Sequence, residues 1–462
     1  MKTATTGTVR SLRAIVDYAI FYEIRLSRRP ALFFAAIVAW VVASVTLALF
    51  DRDGWTGLSW VGLLALVGPL AGYTFSMLRA DAPSKPHFER NASVSAQILE
   101  ARPTIAEEML EFRSLSFDGL GFDGPIVVSD SFNSRVLARA DMDWPLDFVR
   151  DKSNYRALLR TLRRFRRPYV FYGRQAMLSS IFTGKALINE GKVAFAAPFP
   201  PHGDTVRVFA TDYFMGLCTS ERSLDNVYVV EHGRKQLRSD SETRLPFQRD
   251  RPTVLRLPEV ANNTPPISLH IGVELLALTK DDTFRVPVQS RKTMWSREMR
   301  APLASGSADL GDLEEAETLK AFIANAARRE LAEEWGHGDK DLTARLHAAS
   351  PEVIGYFRNV IRCGKPQFVT VARLDCYDDE LSADESEVIA LDEPVQLDTE
   401  KSLSTFRNVR TVKDLSRALE NILERSNAHR DSVALLGSVH CLRSIIRANP
   451  ERVAHILSLD ID

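Results

Sequence analysis

Three carboxylates fall close together in Arg329-Glu330-Leu331-Ala332-Glu333-Glu334-Trp335-Gly336. On a helix, Glu330 and Glu334 are i, i+4 neighbours and Glu330 and Glu333 are i, i+3 neighbours, so all three share about one face. Like charges so placed weaken an isolated helix. They make chemical sense around a divalent cation, because Mg2+ is bound by carboxylate oxygens together with substrate phosphates. Arg329 can orient one of the carboxylates, and Gly336 can close the helix at its C-cap. A solvated acidic turn on a surface helix is the plainer reading of the same residues.

A second group is basic. Arg160, Arg163, Arg164 and Arg167 follow the i, i+3, i+4, i+7 rule on a helix expected over Asn154–Arg167, which Pro168 would stop. Such a stripe suits the phosphates of a nucleotide ligand or anionic lipid, and equally a solvated, ion-paired face. Gly119-Leu120-Gly121-Phe122-Asp123-Gly124 fits the dinucleotide fingerprint by letter. That motif works only when its last glycine opens a helix, and here Pro125 and the strand-like Ile126–Val128 follow, so it reads as a glycine-rich turn. There is no G-x-S-x-G elbow, H-E-x-x-H or P-loop.

These residues sit in a chain of 462 residues, enough for several domains. Lys+Arg is 59 against 60 Asp+Glu, so no global charge excess drives the chain toward a polyanion. Four scattered cysteines, Cys218, Cys363, Cys376 and Cys441, exclude a secreted disulfide framework and lack zinc-site spacing.

Residues 31–50 and 55–78 carry no charge at all, and Asp51-Arg52-Asp53-Gly54 makes a turn between them. At a rise of about 1.5 Å per residue each stretch spans roughly 30 Å, the thickness of a bilayer core. A transmembrane hairpin over 30–79 is expected. Arg10, Arg13, Arg25, Arg28 and Arg29 precede it, and Arg79, Lys85 and Arg90 follow it, which predicts both termini on the cytoplasmic side of the membrane. Gly68 and Gly72 have the G-x-x-x-G spacing that lets helices approach in lipid. Segment 1–29 reads as an amphipathic helix, lying at the interface or packed on the body.

Residues 80–107 read as a polar linker, 108–260 as a mixed α/β intermediate domain, and 266–400 as a further α/β domain followed by helices over 401–462. In the latter, strands are expected near Ile267–Leu278, Thr283–Val288, Val353–Arg358 and Gln367–Leu374. Helices are expected near Glu314–Trp335, Val412–Glu424 and Ser432–Arg447.

R-E-L-x-E-E-x-G resembles the second half of the Nudix box, G-x5-E-x7-R-E-U-x-E-E-x-G-U with U aliphatic. The order of elements over 266–400 resembles a Nudix domain as well. The resemblance implies an α/β/α sandwich with a mixed sheet. It also implies Mg2+ or Mn2+ on Glu330, Glu333 and Glu334, Arg329 in the arginine position, and water attack on a nucleoside-linked diphosphate. The first half of the box departs: its glycine falls on Glu315, its glutamate on Ala321 and the final aliphatic position on His337. Binding without turnover therefore stands beside hydrolysis.

A two-pass hairpin, an intermediate domain and a degenerate Nudix domain together resemble the membrane-anchored Nudix effectors of bacterial CBASS anti-phage systems. That resemblance implies a cyclic oligonucleotide ligand made by a partner nucleotidyltransferase and homo-oligomerisation on activation. The assembled hairpins would disrupt the inner membrane and kill the infected cell (abortive infection). The alternative is a membrane-anchored, Mg2+-dependent Nudix hydrolase of a nucleoside-diphosphate derivative.

Overall fold

The computed structural model describes residues 143–164, 188–196, 205–220, 268–290, 299–336, 338–359, 364–383, 405–424 and 431–462. It also describes isolated strands and single residues among 13–21, 86–90, 113–133, 225–256, 362 and 388–389. The expected spans 31–50 and 55–78 lie outside these residues, as does the glycine-rich turn at 119–124. Among the described residues no helix is long and apolar enough to cross a membrane.

The centre of the fold is a mixed sheet. Strand β1 (Arg113–Leu115) pairs with β2 (Ile126–Val128). Three further strands, β3 (Leu146–Val149), β4 (Gly191–Phe195) and β5 (Val206–Asp212), belong to a separate small sheet. The large sheet continues with β6 (Gly272–Leu278), β7 (Phe284–Arg285), β8 (Ala304–Ser307), β9 (Glu352–Asn359), β10 (Lys365–Arg373) and β11 (Thr405–Phe406). β6 and β10 run parallel from Gly272↔Gln367 to Leu278↔Arg373. The other pairings are antiparallel: β10 with β9, β9 with β2, β6 with β7 and β8, and β7 with β11. Every residue of β6 is buried, which is why it reads as a continuous apolar run broken only by Glu274.

Helices α1 (Ser153–Arg164) and α2 (Tyr213–Thr219) belong to the small sheet's unit. Helix α3 (Leu319–Trp335) covers one face of the large sheet and is followed by α4 (Lys340–His347). Val273 packs with Phe322, Ile323 and Ala326 of α3, and Leu275 and Ala277 pack with Leu331 and Trp335. The alternate residues Leu276 and Leu278 face α5 (Val412–Glu424), α6 (Val433–Ala448) and α7 (Pro450–Leu457). On α5, Val412, Leu415, Leu419 and Ile422 recur at helical spacing, and each buried side chain contributes about 1.5–3 kcal/mol. The result is an α/β/α sandwich.

Several expected boundaries shift. Strands β1 and β2 join the large sheet through β9, so the stretch 108–260 is not self-contained. Helices α5, α6 and α7, within the expected C-terminal segment 401–462, form the third layer of the sandwich and are not an appendage. Pro86–Arg90, within the expected linker, pairs as a strand with Asp225–Glu231. Helix α3 starts at Leu319 and not near Glu314, because Thr318 caps it by accepting from Ala321 N at 3.2 Å.

The small sheet has the order β3-β5-β4 and joins the sandwich through shared core. Val193, Val206 and Val208 pack with Phe322 and Ile323 of α3. Backbone bonds close the joint: Val193 N donates to Ala308 O at 3.1 Å, Ile271 N to Val193 O at 3.0 Å, and Ala308 N to Ile271 O at 2.8 Å. On its outer side, Leu158 and Leu162 of α1 share a core with Phe209, Phe214 and Phe21. Asp17 also accepts from Asn189 N at 3.0 Å, so the described part of the N-terminal segment packs on this unit.

Candidate functional site

Arg329 sits in the last two turns of α3 and organises the site. Its Nε and Nη2 clamp Asp312 at 2.9 and 3.0 Å, and Nη2 also donates to Ser307 O at 3.1 Å. Its Nη1 lies 2.9 Å from Glu330 Oε1 and 3.1 Å from Glu333 Oε2. One guanidinium thus ties the loop before α3, the end of β8 and two carboxylates of the motif. Burial would lower Arg329, but Glu330, Asp312 and Asp309 outweigh it and raise it above its usual value.

The three glutamates take different stations. Glu330 is nearly buried beside Gly306, where an added Cβ would stand 2.0 Å from its carboxylate. Burial raises Glu330 above the usual carboxylate range, while Arg329 and Lys192 pull it back. Glu333 faces outward with 59% of its side chain exposed. Even there, the desolvation it does suffer and the charge of Glu330 push it up to about 7, against Arg329. Glu334 accepts from Ser305 N at 3.2 Å and so is tied to β8.

Asp309 and Lys192 complete the network, and sequence reasoning missed both, together with Asp312. Lys192, on β4, contacts Asp309 and stands 3.8 Å from Glu190. Burial raises Asp309, and Lys192 and Arg329 lower it. The spacing Asp309-x-x-Asp312 was the available signal: Asp309 N donates to Asp312 Oδ2 at 2.7 Å, a capping-box arrangement.

Glu315 stands where the Nudix box has its first glycine, and its φ is 61°. Its backbone is in the left-handed conformation that glycine takes without strain and other residues adopt at a cost.

The donor chemistry fits a hard divalent cation: carboxylate oxygens, partly desolvated, with Glu330 and Glu333 both raised by burial, and Glu333 also by the charge of Glu330. Glu330 and Glu333, which share one Arg329 nitrogen, are the residues that would hold it. Among the described residues no three ligating side chains are grouped as a metal cluster.

Arg160 is exposed on α1. Arg163 and Arg164 lie on the same helix with their side chains outside the described set, and Arg167 lies outside it altogether. A further carboxylate, Glu274 on β6, is 2% exposed. Burial pushes it up to about 8, with Lys365 and Arg362 lowering it and Glu330 raising it. Its single acidic letter in an apolar strand was visible in the sequence.

The chain is similar to the crystal structure of a NUDIX hydrolase from Alicyclobacillus acidocaldarius. They share 15% identity over 42% of this chain and 98% of that one, with a TM-score of 0.27. It is also similar to the crystal structure of DR0079 from Deinococcus radiodurans, at 16% identity over 40% of this chain and 91% of that one, with a TM-score of 0.23. No family model matches the chain, and no curated protein matches it.

Proposed function

We propose that the end of α3 is a Nudix-type site that binds a nucleoside-linked diphosphate with Mg2+ or Mn2+ and hydrolyses the linkage. The observation that carries this reading is Arg329, which binds the preceding loop through Asp312 and gathers Glu330 and Glu333 on one nitrogen. In the reaction a water oxygen bonds to phosphorus, the bridging P–O bond breaks, and the water proton leaves to a base. Glu333, open to solvent beside Glu330, would hold the cation that lowers the pKa of the attacking water. A bound divalent cation would polarise the phosphoryl oxygens.

The test is mass spectrometry of the purified protein with Mg2+ and a panel of nucleoside-diphosphate derivatives and cyclic di- and trinucleotides. Conversion to monophosphates, reduced about 100-fold or more in Glu333→Gln, supports hydrolysis. Turnover untouched by that substitution would end the reading.

A second reading keeps the site as a receptor without turnover. Ala321 in place of the motif's first glutamate favours it, as does Lys192 supplying a positive charge to the carboxylates. Here a cyclic oligonucleotide would be bound and recovered intact, and the uncharged stretches 31–50 and 55–78 would carry the output at a membrane. Loss of toxicity on deleting 31–78 is the outcome this reading requires.

A further inference from the structure

Helix α1 is basic without any acid to offset it. From Ser153 to Arg167 the sequence holds six arginines, Arg156, Arg160, Arg163, Arg164, Arg166 and Arg167, and no Asp or Glu. Lys152, just before the helix, and Arg156 and Arg160 within it are all exposed, and their four-residue spacing sets them on one side. Leu158 and Leu162 hold the other side in the core with Phe209, Phe214 and Phe21. No Asp or Glu stands three or four positions from Lys152, Arg156 or Arg160, so no intrahelical ion pair neutralises them. Like charges at that spacing weaken a helix, and the face calls for an anion from outside it.

The segment packed beside α1 indicates which anion. Phe21 is buried against this unit, and Asp17 accepts from Asn189 N at 3.0 Å. Val16 and Ile20 stay 47% and 38% exposed. The uncharged stretch 31–50 begins ten positions after Phe21, and the residues between add Arg25, Arg28 and Arg29. Ten residues reach at most about 35 Å, so where that stretch enters a bilayer, α1 is tethered close to the bilayer surface. Basic side chains beside exposed apolar ones suit an anionic leaflet, where charge meets the headgroups and apolar groups sink below them. A soluble phosphate would use the arginines and leave Val16 and Ile20 in water.

We propose that Lys152, Arg156 and Arg160, with Val16 and Ile20 beside them, rest on an anionic lipid leaflet and hold the small-sheet unit against the membrane. The inference depends on 31–50 entering a bilayer and is independent of the chemistry at α3.

The test is phenylglyoxal labelling of arginines in the full-length protein reconstituted in vesicles, read by mass spectrometry. Vesicles of phosphatidylcholine alone are compared with vesicles that also contain phosphatidylglycerol. A basic residue at an anionic surface strengthens binding about fivefold, so Arg156 and Arg160 should label roughly fivefold or more slowly in the mixed vesicles. High salt should restore the rate, because it screens charges at a surface. Arg417, 66% exposed on α5, is the internal reference and should label equally in both. Equal rates for Arg156 and Arg160 in the two vesicles overturn the proposal, as does slowing that Arg417 shares or that high salt leaves in place. Inorganic phosphate that slows both arginines as much in phosphatidylcholine vesicles assigns the face to a soluble anion and overturns it too. The comparison uses the unaltered protein, so its outcome does not depend on the folding of a variant.

Discussion

The Lys192 ammonium meets the Asp309 carboxylate across the joint between the small sheet and the sandwich, 117 positions apart in sequence. Their side chains are 10% and 19% exposed, and each has a longer second contact, Lys192 with Glu190 at 3.8 Å and Asp309 with Arg329 at 3.7 Å. Lys192→Met leaves Asp309 partly buried with Arg329 at 3.7 Å as its remaining cation, and should cost about 3 kcal/mol in urea unfolding. Adding Asp309→Asn should restore part of the loss. A Lys192→Met protein as stable as the parent would show that the contact contributes nothing.

Glu315 predicts a gain. A non-glycine residue in the left-handed region carries a penalty of about 1–2 kcal/mol. Glu315→Gly should relieve it and raise stability by about 1 kcal/mol, less the added freedom of the unfolded chain. Thermal unfolding reads the change, and a lower midpoint would contradict it.

Glu274 gives stability a direction with pH. In the folded chain it holds its proton up to about 8, against an ordinary value of 4.5. Between these values the folded state binds the extra proton, so this contribution is complete below 4.5 and is lost as pH rises through about 8. One such group changes stability by at most about 1.4 kcal/mol per pH unit. Unfolding curves from acid to pH 8 should fall less steeply for Glu274→Gln than for the parent. Parallel curves would refute the shift.

Gly306→Ala places a methyl group where the Glu330 carboxylate lies, and Arg329 holds that carboxylate in place. The substitution should lower Mn2+ affinity about tenfold by displacing Glu330. Circular dichroism should show the helices intact. Unaltered Mn2+ binding in a titration would mean that Glu330 adapts freely.

Arg300 and Asp431 form the most enclosed ion pair of the fold among the described residues. Their side chains are 7% and 0% exposed, with contacts of 2.6 and 3.0 Å. Asp431→Ala strands a buried guanidinium between the sandwich and α6, and should cost about 3–5 kcal/mol in denaturant unfolding. A loss within experimental error would place the charge in solvent.

The elements of the sandwich were legible because their signals are local. Val412–Glu424 has clean 3.6-residue periodicity and matches its expected limits, and Ser432 marks the start of α6 by capping it at Leu435 N. The carboxylates of α3 were legible for the same reason. Long-range pairing was not. Nothing in Ile126–Val128 announces that it will lie beside β9, and nothing in Gly191–Phe195 announces that Lys192 will reach Asp309. The burial of Glu274 depends on the parallel register of β6 and β10, which no short window of sequence contains.

Asn133 joins Tyr356 by two hydrogen bonds, Asn133 Nδ2 donating to Tyr356 O and Tyr356 N donating to Asn133 Oδ1, across 223 residues. At about 5–20 residues per second, a ribosome takes roughly 10–45 s to make the chain between them. Through that interval the early strands have no sheet to join, while residues 31–78 have already emerged. Biosynthesis thus sets an order: residues 31–78 emerge first, and the sheet can take up Asn133 only once Tyr356 has been made.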